Sequence, residues 1–216
     1  MELAAFFPMW DQLTETQRQT LTQIAVRRQA QAGAVLHRGS DDCLGLLLVE
    51  SGQLRASLLS PEGREITIYR LFPRDICLLS ASCMMRSIQF DITIEAEKDT
   101  QFLLVPPDRF QALMAQSAPL ANYTNEIMAS RFSEVMWLME QVMWKRFDQR
   151  LAQFLLEESA LEGSQTLYLT HEKIANHLGT AREVVTRMLR YFQSEGMVQL
   201  RRGVVELTDR AKLEAL

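Results

Sequence analysis

Arg182, Glu183, Thr186, Arg187 and Arg190 recur at spacings that place them along one side of a helix. The chemistry open to such a row is the reading of base edges. An arginine fork matches the O6 and N7 acceptors of guanine, a glutamate accepts from the cytosine amino group, and a threonine offers a hydroxyl or a methyl. Arg190, at the far end, suits a phosphate as well as a base. A solvated helix exterior carries the same charges, so the residues in front of the row decide what it means.

Those residues spell a helix-turn-helix between Thr170 and Met188, THEKIANHLGTAREVVTRM. Ala175 stands where two helices cross closely, Gly179 supplies the left-handed residue of a tight turn, and Val185 packs the second helix on the first. Ile174, Leu178, Met188, Leu189 and Phe192 complete one apolar seam. Thr170 is expected to cap the first helix, with Glu172 in its positive first turn, and Thr180 with Glu183 to form a capping box for the second. Both threonines, at the helix starts, join the candidate DNA-contact set.

Beyond the second helix, Met197 to Leu207 reads as a short hairpin turning at Gly203, with Arg201 and Arg202 at its tip beside the phosphates. Thr208-Asp209 caps a last short helix. The formal charge of −4 looks wrong for a DNA binder. Through residue 145 there are 13 basic and 17 acidic residues, and beyond it 10 of each, so the deficit lies upstream. Between 181 and 202 five arginines face two glutamates, a local basic patch that implies modest non-specific affinity.

The elements that must position this site fill the rest of the chain. At 216 residues there is room for two domains with separate cores, and 47% apolar content argues against disorder. The opening MELAAFFPMW lacks the features of a secretion signal, and no apolar run approaches the roughly 18 residues of a membrane span, so a cytoplasmic protein with no membrane partner is expected. Three cysteines, Cys43, Cys77 and Cys83, are too few for a disulfide scaffold. Leu13 to Ala25 reads as a helix with Thr14 and Gln17 in capping-box register. From Ala32 to Val105, short strands such as Leu46–Val49, Ile66–Tyr69 and Ile92–Ile94 alternate with turns at Gly33, Gly39, Gly45, Gly52, Pro61-Glu62-Gly63 and Pro73, the pattern of a closed all-β sensor roll.

A long helix follows, with Ser117 as its cap and Pro119 in its first turn, running to about Arg146. Met128, Phe132, Val135, Met139 and Val142 alternate steps of four and three, the seam of a two-stranded coiled coil and hence of a homodimer. Trp137 and Trp144 share a neighbouring stripe and are expected to pack within the fold. The next helix begins at Phe147-Asp148, with Asp148 as cap. Two recognition helices about 34 Å apart would enter successive major grooves and demand a palindromic site.

The run Gly179 to Arg187, with Phe192 and Glu195-Gly196, resembles the winged-helix DNA-binding domain of Crp/Fnr-type bacterial transcription regulators. Ser51-Gly52-Gln53-Leu54 and Gly63-Arg64-Glu65-Ile66 resemble that family's cyclic-nucleotide-binding-type roll, and the likeness extends over nearly the whole chain. The resemblance implies an α+β fold: an N-terminal β-roll (double-stranded β-helix, cyclic-nucleotide-binding-like) over 1–116, a long dimerisation helix over 117–146, and a C-terminal winged helix-turn-helix over 147–216. It also implies that Arg182, Glu183 and Arg187 read a TGA-like core in each half-site, that Thr186 tunes the outer bases, and that the junction after the dimer helix is a hinge. RNA polymerase is the implied partner if the protein activates. Ala181 and Val184 depart from the family, standing where several members carry hydroxyls that touch phosphates.

Against the family's ligand cassette the roll reads as a negative. Members that bind a cyclic nucleotide offer a glutamate to the ribose and an arginine to the phosphate. Here Arg74-Asp75-Ile76-Cys77-Leu78-Leu79-Ser80 puts leucines at the first, and Gln89-Phe90-Asp91-Ile92 puts Phe90, beside a repelling Asp91, at the second. No iron–sulfur cluster is expected, since three cysteines cannot supply four thiolates and none precedes Cys43. A haem would need His37, Cys77, Cys83 or a methionine, and no sequence context favours any of them. Cys77 and Cys83, six apart in the cassette, are a candidate redox switch. DNA recognition is expected to require no cofactor, and a small-molecule effector is a candidate partner of the roll that no residue names. Two other classes fit the sequence less well. An enzyme lacks convergent groups, since His37, His171 and His177 have no ligand spacing and no phosphate loop appears. A signalling module not acting on DNA would lack the outward row.

Overall fold

The computed structural model describes residues 3–39, 43–84 and 92–216. They divide into two compact units, Met1–Leu58 with Ile68–Val135, and Leu59–Thr67 with Met136–Leu216.

The first unit opens with short 3-10 turns at Leu3–Phe6 and Trp10–Gln12, then helix α1, Glu15–Ile24. Thr14 caps α1 in a full capping box: its hydroxyl accepts from the Gln17 amide at 3.3 Å, and Gln17 Oε1 accepts from the Thr14 amide at 3.0 Å. Six strands follow, β1 (Val26–Ala30), β2 (Val35–Arg38), β3 (Leu46–Leu59), β4 (Glu65–Leu71), β5 (Ile76–Cys77) and β6 (Ile92–Val105). The sheet runs β1-β6-β3-β4, with β2 also on β6 and β5 also on β3, and the ladders β1–β6, β2–β6, β3–β5 and β3–β6 are antiparallel. Strand structure therefore begins at Val26, ahead of the expected Ala32. The sequence VRRQA shows no alternation because β1 is an edge strand whose side chains are nearly all exposed. Gly52 sits at a register shift of β3 on β6, with φ +88 and the Asp99 carbonyl where a Cβ would stand.

Leu46 and Leu48 of β3 and Leu103 and Val105 of β6 build a core with Phe6, Phe7, Leu13, Leu21, Phe110 and Leu120. Phe110 comes from a short helix α2, Pro107–Met114, and Leu120 from the long helix α3, Ala118–Trp144. Ser117 is not the side-chain cap that its type and place suggested. Its buried Oγ has no hydrogen-bond partner among the described residues, and Pro119, lacking an N–H, removes one of the two donors such a cap would serve. Tyr123, Ile127 and Met128 of α3 lie against the core. Trp137 and Trp144 do not pack as expected, being 49% and 77% exposed, because the α3 residues against this core end at Met128.

The second unit holds α4 (Phe147–Glu162), β7 (Thr166–Leu167), α5 (His171–Leu178), α6 (Arg182–Ser194), β8 (Val198–Arg201), β9 (Val204–Leu207) and α7 (Arg210–Glu214). Its three-stranded sheet is ordered β7-β9-β8. The cap of α4 falls on Arg146 rather than Asp148. Arg146 N–H donates to Gln149 Oε1 at 3.3 Å, while Asp148 sits within the first turn, paired with the Arg146 guanidinium at 2.9 Å. Asp209 caps α7 by accepting from the Lys212 amide. Leu151, Leu155, Ile174, Ala175, Val185, Leu189, Phe192, Val205 and Leu213 share one core. Also within this unit, Ile66 bridges to Leu178, and Thr67 Oγ1 lies 2.8 Å from His177 Nδ1.

Candidate nucleic-acid interface

Thr170, in extended backbone at φ −81, caps α5 by accepting from the Lys173 amide at 3.2 Å. Gly179 ends α5 at φ +67, with its N–H donating to the Ala175 carbonyl. A Cβ there would come within 3.0 to 3.2 Å of the Ile66 side chain, so both conformation and space favour glycine. Ala175 and Ile174 of α5 and Val185 and Leu189 of α6 are buried where the two helices meet.

The capping box expected of Thr180 and Glu183 does not form. The cap position of α6 is Ala181, which has no capping oxygen, and the Thr180 N–H is used in closing the turn onto the Ala175 carbonyl. Thr180 belongs to the turn, and the first-turn amides of α6 carry no side-chain cap. Uncapped amides at a helix start suit an anion such as a backbone phosphate.

Along α6 the two faces separate. Val185, Leu189 and Phe192 are fully buried, and Arg182, Glu183, Arg187 and Arg190 are exposed. Thr186 is half-buried, its hydroxyl donating to the Arg182 carbonyl at 2.9 Å and meeting His171 Nδ1 at 2.8 Å. Burial, with Arg182 and Arg190 beside it, lowers the His171 pKa below the usual imidazole range. His171 was no candidate on sequence, since it lies fifteen residues from Thr186 and only the helix crossing joins them. In the wing, Gly203 turns the β8–β9 hairpin at φ +72. The two wing arginines differ: Arg201 is tied to Glu206 at 3.0 Å, while Arg202 is exposed with no ion pair among the described residues.

The seam expected on α3 is split. Met128 and Val135 are half-buried, but Phe132 is 66% exposed, and Met139 and Val142 are exposed with Met136 and Met143 beside them. A continuous apolar face is thus open on the second half of α3. In the roll, no disulfide joins the candidate switch residue Cys77 to Cys83. Cys77 is free, fully buried, and 3.9 Å from the Tyr69 hydroxyl, because β5 turns it inward against β4, whereas Cys43 is disulfide-bonded. The Cys83 side chain, like Gln89, Phe90 and Asp91, lies outside the described residues. Burial pushes the Tyr69 phenol well above its ordinary pKa, so it stays protonated. Leu78 and Leu79 are buried, Leu78 within the first unit's core. Among the described residues no helix is long and apolar enough to cross a membrane.

A β-roll, a long helix and a winged helix-turn-helix with an arginine-bearing second helix define a class of DNA-binding regulator. Residues 27–117 match the model of the cyclic nucleotide-binding domain and residues 149–216 that of the Crp-like helix-turn-helix domain. A solved structure of a crp/fnr family protein from Eubacterium rectale is 57% identical, covers 97% of each chain and superposes with a TM-score of 0.95. The transcriptional activator protein anr of Pseudomonas aeruginosa is 27% identical over 94% of this chain and 86% of its own. The cyclic AMP receptor protein of Thermus thermophilus is 26% identical over 79% of this chain and 78% of its own. The chain belongs to the Crp/Fnr family of transcription regulators.

Proposed function

We propose that this regulator acts in the cytoplasm as a homodimer that reads a palindrome with a TGA-like core in each half-site, and that it works by binding rather than turnover. The observation that carries the reading is the division of α6, three apolar residues fully buried and three arginines with Glu183 exposed opposite them. Arg182, Glu183 and Arg187 take the core bases, Thr186 the outer ones, and Arg190, Arg202, Thr170 and Thr180 the flanking backbone. Arg201, held by Glu206, orders the wing. The apolar face of Phe132, Met139 and Val142 takes a second copy of α3, which sets two recognition helices about 34 Å apart.

The roll over 1–116 answers a small effector other than a cyclic nucleotide in its usual pose, although one relative is a cyclic AMP receptor protein. What supports this is Leu78, which stands by resemblance at the family's ribose-acceptor position and is buried in the first unit's core. The effector shifts the population between DNA-competent and incompetent dimers through the junction near Arg146, and RNA polymerase is the partner where the protein activates. The experiment is selection from random duplexes by the purified full chain. Enrichment of a palindrome supports the reading; an unenriched pool overturns it.

A further inference from the structure

We infer that His171 is a positioning residue for base choice: it fixes Thr186 so that the threonine presents its methyl, not its hydroxyl, to the major groove, and so selects thymine there. The inference rests on the DNA-reading function and adds to it a residue outside the recognition helix.

Proton bookkeeping carries the step. A threonine hydroxyl has one hydrogen, and that of Thr186 goes to the Arg182 carbonyl, which can only accept, at 2.9 Å. With its hydrogen so placed the oxygen meets His171 as an acceptor, which assigns the donor role to His171 Nδ1, 2.8 Å away, and with it the Nδ1-protonated tautomer. Burial and the neighbouring arginines keep the ring neutral near neutral pH, so its one N–H is this one. Two hydrogen bonds on one oxygen set the side-chain rotamer and occupy the polar end of Thr186. The Cγ2 methyl is what remains to meet a base, and its apolar counterpart in the major groove is the C5 methyl of thymine. Nothing in the α6 sequence sets this choice, because a threonine free to rotate could offer either group.

Two measurements test it with the intact chain. The first is the affinity for a duplex bearing the selected palindrome, with each symmetric pair of thymines replaced in turn by deoxyuridine, which removes only the C5 methyl. One pair is expected to matter, by roughly fourfold per half-site, the worth of one buried methyl. The loss at that pair should vanish in Thr186→Ser, shrink in His171→Phe, which keeps a ring but no N–H, and return in His171→Asn, which restores an N–H near the Nδ1 position. A wild-type protein that prefers a palindrome but is blind to every methyl, or a His171→Phe variant as sensitive as wild type, overturns the inference and leaves DNA reading intact. No preference among duplexes removes the DNA-reading function itself, and the inference with it. The second measurement needs no variant. Nitrogen-15 NMR of free wild-type protein should find the His171 proton on Nδ1, and a ring protonated only on Nε2 overturns the inference.

Discussion

Arg187 stands exposed on α6, with the buried Val185 and Leu189 fixing the helix that carries it and its guanidinium open to solvent. Arg187→Ala should cost about 1–3 kcal/mol at a half-site and relax base choice there. Titration against matched and mismatched duplexes checks this, and a uniform loss on all sequences would make Arg187 a phosphate anchor instead. The wing arginines should separate: Arg202→Ala is expected to reduce the salt slope of binding by about 0.9 per subunit, and Arg201→Ala by less, since Glu206 already neutralises it. Equal slopes for wild type and Arg202→Ala would take Arg202 off the phosphates. The outward row was legible because helical periodicity alone sorts one face from the other. His171 against Thr186 and Glu206 against Arg201 were not, since a helix crossing and a strand pairing make those contacts. Thr180 misled because it fits the register of a capping box, while the turn after Gly179 takes its amide first.

The α5–turn–α6 element depends on one backbone conformation, Gly179 at φ +67. Gly179→Ala should destabilise the fold by about 1–2 kcal/mol from the left-handed conformation, with Ile66 forced to shift as well. Chemical denaturation checks this, and an unchanged midpoint would mean the turn relaxes without cost. Among the elements, α1 and α5 announce themselves through their threonine caps, and the turn before α6 and the wing through Gly179 and Gly203. The edge strand β1 and the helix α2 do not: VRRQA buries nothing, and Pro107–Met114 is too short for its periodicity to stand out beside the strand before it. The long helix was readable from its apolar spacing, but not which part serves the chain's own core. That division follows from where the first unit's core stops, near Met128, and it leaves Phe132 to Trp144 with an exposed apolar face.

In the whole molecule the two parts are coupled by arithmetic. In the proposed dimer a single α6 would offer one half-site's contacts, and a second copy joined through α3 would offer the same contacts again at a fixed separation, so affinity would depend on geometry as well as chemistry. The three cysteines illustrate what one-dimensional reading cannot order: Cys77 and Cys83 are a candidate switch by position alone, while the fold turns Cys77 into the interior beside Tyr69. The direct test of the account is the affinity of the full chain for its selected palindrome after insertion of about five base pairs, half a helical turn, between the half-sites. The expected result is a fall to the affinity of an isolated half-site, with the second recognition helix turned to the wrong face of the duplex. Binding indifferent to that insertion would contradict the paired reading of successive grooves.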